Sequence, residues 1–191
     1  LQEDGRSGAT LSRNLASLKN FYMYLVSSGF REQTAVTDVH IDRGVKKLPS
    51  ILTGREIELL LAQPQCTDLK SCRDKAMLEV LYATGIRVSE LRYFTVEAVQ
   101  SGEVTVSCKS KTRTILVPGK LKNILWNYAK RRGITTGAIF IGKNDKPLDR
   151  SSIWRQMKQL CKAAGVKESK VFPHNLRKLF ARTFYGIEKD I

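Results

Sequence analysis

Two short phrases dictate where helices of this chain must stop and start. The apolar run Ala76, Met77, Val80 and Leu81 has helical spacing and breaks at Ala83-Thr84-Gly85-Ile86-Arg87. Gly85 lets the backbone turn sharply there and lets another segment approach closely. The second phrase, Pro173-His174-Asn175-Leu176-Arg177, opens a helix predicted to run past Phe184. Proline suits the first helical position because its missing N–H would be unpaired anyway. Each phrase delivers an arginine. His174 and Arg177 stand three apart and share one helix face. They lie in the first turn, where free N–H groups and the helix dipole favour an anion. The guanidinium fork gives two parallel hydrogen bonds to phosphate oxygens and keeps its charge. Taken singly, each arginine reads as a surface or ion-paired residue and His174 as a structural histidine. Taken together, they form a set suited to holding and attacking a phosphodiester.

The remaining pattern predicts a mainly helical chain with one small antiparallel sheet, an α+β arrangement. Leu11, Leu15, Leu18, Tyr22, Leu25 and Val26 recur at helical spacing, with Thr10 as the expected cap and Ser27-Ser28-Gly29 as the end. One apolar stripe on a single helix cannot bury itself, so this segment needs partners. Residues 39–50 carry no sustained period and read as a linker. Thr53 with Glu56 three residues on is a capping-box signature ahead of Ile57, Leu60 and Leu61. Arg87 to Leu91 reads as a short helical turn. Val104 to Ser107 alternates as a strand, Lys109 to Thr112 reads as a turn, and Thr114 to Val117 reads as the partner strand ended by Pro118. A helix over Leu121 to Arg131 stopped by Gly133, a short strand over Ala138 to Ile141, and a helix capped by Ser151 or Ser152 complete the prediction.

Charge narrows the partner. The 191 residues carry 33 Lys and Arg against 18 Asp and Glu, a formal charge of +15. So basic a folded chain favours a polyanion, most simply nucleic acid. No stretch approaches the 18 uncharged apolar residues of a membrane span. Leu1-Gln2-Glu3-Asp4-Gly5 has no signal-peptide pattern, and a leading Leu is expected of a chain that begins inside a longer protein. Cys66, Cys72, Cys108 and Cys161 form no CxxC pair, and His40 and His174 are the only histidines, a poor set for zinc. Reduced thiols in a cytoplasmic protein are the expectation.

Between the two arginine phrases lies Cys108-Lys109-Ser110-Lys111-Thr112-Arg113. A basic hairpin tip can enter a groove and bring a lysine to a leaving oxygen, where nearby arginines would lower its pKa toward working pH. Contact to the phosphate backbone without catalysis explains the same residues.

In this order, Ala83 to Leu91, the basic hairpin before Val117-Pro118, and His174-Asn175-Leu176-Arg177 closely resemble the tyrosine recombinase (phage integrase) family. The entry phrase Leu48-Pro49-Ser50-Ile51-Leu52-Thr53 resembles the start of its catalytic domain. The hairpin wording and Phe172 to Arg182 look most like integrases of conjugative transposons. The resemblance covers residues 48–191. It implies residues 1–38 as the closing part of a helical, SAM-like core-binding domain, 39–50 as linker, and 51–191 as the catalytic domain, incomplete at its C-terminus.

The resemblance also implies DNA strand exchange with no cofactor, metal or external energy source. Arg87 and Arg177 would clamp the scissile phosphate. His174 would assist proton transfer at the nucleophile. Lys109, with Lys111 as the alternative, would protonate the departing 5′ oxygen. A tyrosine would hold the DNA as a 3′-phosphotyrosyl ester. Arg113, Lys178, Arg13 and Lys19 are the expected further DNA contacts. The implied partner is double-stranded DNA, bound by a homotetramer, with an accessory directionality factor as a further implied partner.

The nucleophile is not among the expected residues. In the family it lies a few dozen residues past the second arginine, and 14 residues follow Arg177 here. Tyr185 is eight positions on, about 12 Å further along a continuing helix and turned away by roughly 80°. Tyr22, Tyr24, Tyr82, Tyr93 and Tyr128 carry no motif. The resemblance is therefore to a recombinase cut before its tyrosine, with the chain as it stands unable to cleave. A DNA-binding protein that retains the fold without the chemistry is the alternative, and it does not explain why both arginines, the lysine turn and the histidine are kept together. An RNA-binding protein would call for aromatic stacking platforms, whereas the aromatics here fall at helix-stripe positions.

Overall fold

The computed structural model describes residues 7–34, 36–41, 50–108, 111–142 and 144–188. The chain divides into two compact units, Leu1–Pro49 and Ser50–Ile191. The expected linker over 39–50 falls largely outside the described residues.

The first unit holds helix α1, Gly8–Ser27. Its cap is Ser7, whose Oγ accepts from the Thr10 backbone N–H, rather than Thr10 itself. Two hydroxyl residues three apart compete for that role, and the earlier one wins by adding most of a turn to the helix. Leu11 is buried, while Leu18, Phe21, Met23 and Tyr24 stay exposed.

The second unit is built around α3, Leu69–Thr84. Ala76, Met77, Leu78, Val80 and Leu81 are all fully buried, so the C-terminal half of this helix is covered on most of its sides, as a central helix must be. Helices α5 (Gly119–Arg132) and α7 (Pro173–Glu188) pack against it. Helix α2, Gly54–Ala62, opens the unit with the Thr53–Glu56 capping box formed in both directions. It packs on α6, Arg150–Ala164. Glu56 also accepts from Lys170 Nζ at 2.8 Å, and that bond, with the Thr53 N–H, holds its carboxyl below the usual range. Short helix α4, Val96–Ser101, was not expected; Thr95 caps it and Gly102 ends it.

Strands β1 (Glu103–Cys108) and β2 (Lys111–Leu116) form one antiparallel pair, with Glu103 opposite Leu116 and Cys108 opposite Lys111. The chain is thus mainly α with a small two-stranded sheet, as expected.

Four further local expectations are corrected. Lys111 and Thr112 belong to β2 rather than to the turn, because β-branched Thr112 and Thr114 suit the extended ladder. Residues 138–141 make isolated bridges, Thr95 to Ala138 and Ile141 to Pro147, rather than a strand. The Ile139 N–H donates to the Phe94 carbonyl of a loop, and among the described residues the pairing goes no further than these bridges. Helix α6 is capped by Asp149, whose Oδ1 accepts from Ser152 N–H at 2.8 Å, not by either serine. Cys66 and Cys72 are joined as a disulfide, not reduced thiols. Cys66 takes a left-handed backbone, φ 58°, which folds it back onto the first turn of α3. Cys161 is buried and free. No helix among the described residues is long and apolar enough to cross a membrane.

Candidate functional site

Helix α3 ends at Gly85, which adopts φ 57° and donates its N–H to Leu81 O. The chain reverses there and enters a 3₁₀ turn, Val88–Tyr93, with Arg87 at its head. Ile86 and Leu91 are buried on either side, so the arginine is set between two anchors in the core.

Helix α7 brings the second group of residues. Fully buried Asn175 fixes its start: the side-chain amide donates to Ser50 O at 2.6 Å and Lys170 O at 2.7 Å. Leu176 and Leu179 face the core, which turns His174 and Arg177 outward onto the neighbouring stripe. Arg177 Nη1 donates to the Gly85 carbonyl at 2.5 Å, two residues before Arg87. The two phrases therefore meet. Phe180 of α7 lies where a β-carbon on Gly85 would stand, 2.3 Å from its nearest ring atom. A glycine at 85 allows both the left-handed turn and the close approach of α7.

Arg87, His174 and Arg177 line one cleft of about 350 Å³, with Ser89, Arg150 and Trp154 on its wall. Trp154 is backed by Phe172, with ring centroids 6.4 Å apart, and Lys158 Nζ lies 4.7 Å from the Trp154 centroid. The rim is thus both basic and aromatic.

One carboxylate ties Arg87 to Arg113. Glu90 is only 3% exposed. Its Oε2 accepts from the Arg87 backbone N–H at 2.7 Å and from Arg113 Nη2 at 2.7 Å, and its Oε1 accepts from Arg87 Nη1 at 3.2 Å. Burial first, and then the facing guanidiniums of Arg87 and Arg113, lower the pKa of Arg177, with Glu90 opposing them. A guanidinium so placed stays charged, because its ordinary pKa is far above any working pH. Glu90 bonds two guanidiniums, and Arg177, held on the Gly85 carbonyl, adds a third positive charge, which leaves the cleft positive and ready for an anion.

The expected residues are distributed as follows. Arg87, His174 and Arg177 come together. Lys109 lies outside the described residues. Lys111 is exposed on β2. Arg113 is paired with Glu90. Lys178 is half-buried on α7. Arg13 and Lys19 belong to the first unit: Arg13 is exposed on α1, and Lys19 Nζ donates to Thr37 O at 2.9 Å. Tyr185 lies on α7 at 64% exposure, stacked edge-on with Phe184. Glu90, Asn175, Arg150 and Trp154 were not singled out from sequence. Glu90 alone had a signal, its spacing of three from Arg87.

Residues 50–190 match the Phage integrase family, and the chain belongs to that family of tyrosine recombinases. It is 33% identical over 192 residues to tyrosine recombinase XerD of Halalkalibacterium halodurans, covering 95% of this chain and 63% of that protein. It is 35% identical over 195 residues to XerD of Oceanobacillus iheyensis, covering 95% and 64%. The chain thus spans a little under two thirds of the length of these relatives. Among solved structures, the Tn1549 transposon integrase in complex with circular intermediate DNA aligns over 97% of this chain and 69% of that one, with TM-score 0.79 and 17% identity. XerH recombinase bound to difH before cleavage aligns over 98% and 57%, with TM-score 0.74 and 20% identity. These likenesses carry the fold.

Proposed function

We propose that this chain is the phosphate-holding part of a site-specific DNA recombinase that cuts and rejoins strands through a 3′-phosphotyrosyl ester. The observation that carries the reading is the cleft in which Arg87, His174 and Arg177 meet, with the Arg177 guanidinium tied to the backbone beside Arg87. Arg87 and Arg177 hold the non-bridging oxygens and stabilise the charge that develops as the phosphorus becomes five-coordinate. The tyrosine oxygen bonds to phosphorus, and the bond to the 5′ oxygen breaks. His174 assists removal of the tyrosine proton, and Lys109 or Lys111 supplies a proton to the departing 5′ oxygen. The ester conserves the bond energy, so a 5′ hydroxyl can reverse the step.

The attacking tyrosine is assigned outside residues 1–191. The geometry of Tyr185, exposed and two helical turns beyond Arg177, supports that assignment. Residues 1–38 are assigned to a core-binding domain and 51–191 to the catalytic domain, working on duplex DNA as a tetramer. Arg150 and Lys158 beside Trp154 extend the basic rim and suit the flanking phosphates.

Equilibrium binding of this chain to duplex DNA, measured against salt, tests the reading. Affinity is expected to fall steeply, by about tenfold or more between 50 and 200 mM, because several phosphates are neutralised. A flat response would remove duplex DNA as the partner.

A further inference from the structure

The hairpin β1–β2 is held to the body of the domain at two levels. At its base, Val104 and Val106 are buried in the core, and the Val117 N–H donates to Gly102 O. Past Ile115, the inward face of β2 turns from apolar to basic. Val106 is opposite Arg113, so an arginine occupies the inward face of β2 next to Ile115, where an apolar residue would otherwise continue the packing. Its guanidinium finds the buried Glu90 carboxylate at 2.7 Å. The other strand has its own tether, with Tyr93 OH donating to Ser107 O at 3.1 Å. Both tethers end on the same 3₁₀ turn, whose head is Arg87. Lys111 stands two residues from Arg113 on the same face of β2.

We infer that Arg113 is a positioning residue, whose ion pair with Glu90 fixes the lysine-bearing hairpin in register with the Arg87 phosphate clamp. Glu90 satisfies Arg87 with one oxygen and shares the other between the Arg87 N–H and Arg113, so a shift of the hairpin is felt at the clamp. The bonds are charge-assisted and centred on a buried carboxylate, so they set geometry more sharply than a surface pair would. The inference rests on the reading of a hairpin lysine as general acid. It assigns to Arg113 a role in placing that acid, in place of direct DNA contact.

The test compares two substrates in a full-length recombinase that carries this chain. One is an ordinary phosphodiester; the other has sulfur in place of the bridging 5′ oxygen. A thiolate leaves without a proton, so it removes the need for the acid and for whatever positions it. Arg113→Ala is expected to slow single-turnover cleavage of the oxygen substrate by about 10- to 100-fold, the scale of a misplaced catalytic group. It is expected to cleave the sulfur substrate within about threefold of the parent, since the acid term of roughly 100-fold or more no longer counts. Arg113→Lys, which keeps the charge and loses the fork, is expected to fall between Arg113→Ala and the parent on oxygen. Equal slowing on both substrates would overturn the inference, as would no slowing on either. If neither Lys109→Ala nor Lys111→Ala is rescued by sulfur, the acid reading itself falls and the inference with it. That failure shows in the lysine variants and is distinct from one confined to Arg113.

Discussion

Arg177→Ala is expected to reduce DNA cleavage by about 1,000-fold in a full-length recombinase carrying this chain, while duplex affinity falls by about tenfold or less. The reason lies in where charge appears. Ground-state DNA meets many cations of this basic chain, and one fewer changes affinity modestly. In the proposed mechanism the transition state concentrates charge on the oxygens between Arg87 and Arg177, and removing one preorganised donor from such a site costs about 100- to 1,000-fold. Arg177 is also held by the Gly85 carbonyl, so its fork is aimed before DNA arrives and its loss forfeits preorganisation as well as charge. Arg177→Lys is expected to recover little, because an ammonium cannot bond the carbonyl and a phosphate with the same fork. Single-turnover cleavage at saturating protein measures the effect, and an unchanged rate would take Arg177 out of the site.

Gly85→Ala is expected to destabilise the second unit by about 2–5 kcal/mol. Two causes add. At φ 57° an L-residue costs roughly 1–2 kcal/mol. The new methyl also meets the Phe180 ring at 2.3 Å, and forcing a packed side chain aside costs about 1–3 kcal/mol. Gly133 is the control. It caps α5 at φ 74° but has nothing within 4 Å of its would-be β-carbon, so Gly133→Ala bears the backbone cost alone. Denaturant unfolding of the two variants separates the causes. A larger loss at residue 85 is expected, and equal losses would show that the approach of α7 adds nothing. Relief of the clash moves Phe180 and with it the helix that carries His174 and Arg177, so activity should fall further than stability alone explains.

Much of this was legible in the sequence because it rests on local chemistry. The Gly85 break, the start of α7 at Pro173 and the Thr53–Glu56 box each need only a few neighbouring residues. The meeting of Arg87 with His174 and Arg177 was legible only through family resemblance, since 90 residues separate Arg87 from Arg177. The misses share a cause. Residues 138–141 have strand composition, yet a strand needs a partner and the chain offers a loop. Glu90 looks like one more helix carboxylate until Arg113, 23 residues away, folds across to it. The Cys66–Cys72 bond depends on a left-handed backbone at a non-glycine residue, which composition does not foretell. Ser7 and Asp149 displaced the expected caps because several cappers stand within one turn, and the choice among them is made by the loop that enters the helix.

In the proposed reaction this chain holds the phosphate while a tyrosine from outside residues 1–191 attacks it. Trapping on a nicked duplex, from which the freed strand diffuses away, tests it most directly. A full-length protein carrying this chain is expected to form a covalent 3′-phosphotyrosyl adduct at a tyrosine outside residues 1–191, and the 191-residue chain alone is expected to form none. An adduct mapped to Tyr185, or to any other tyrosine of this chain, would contradict the account.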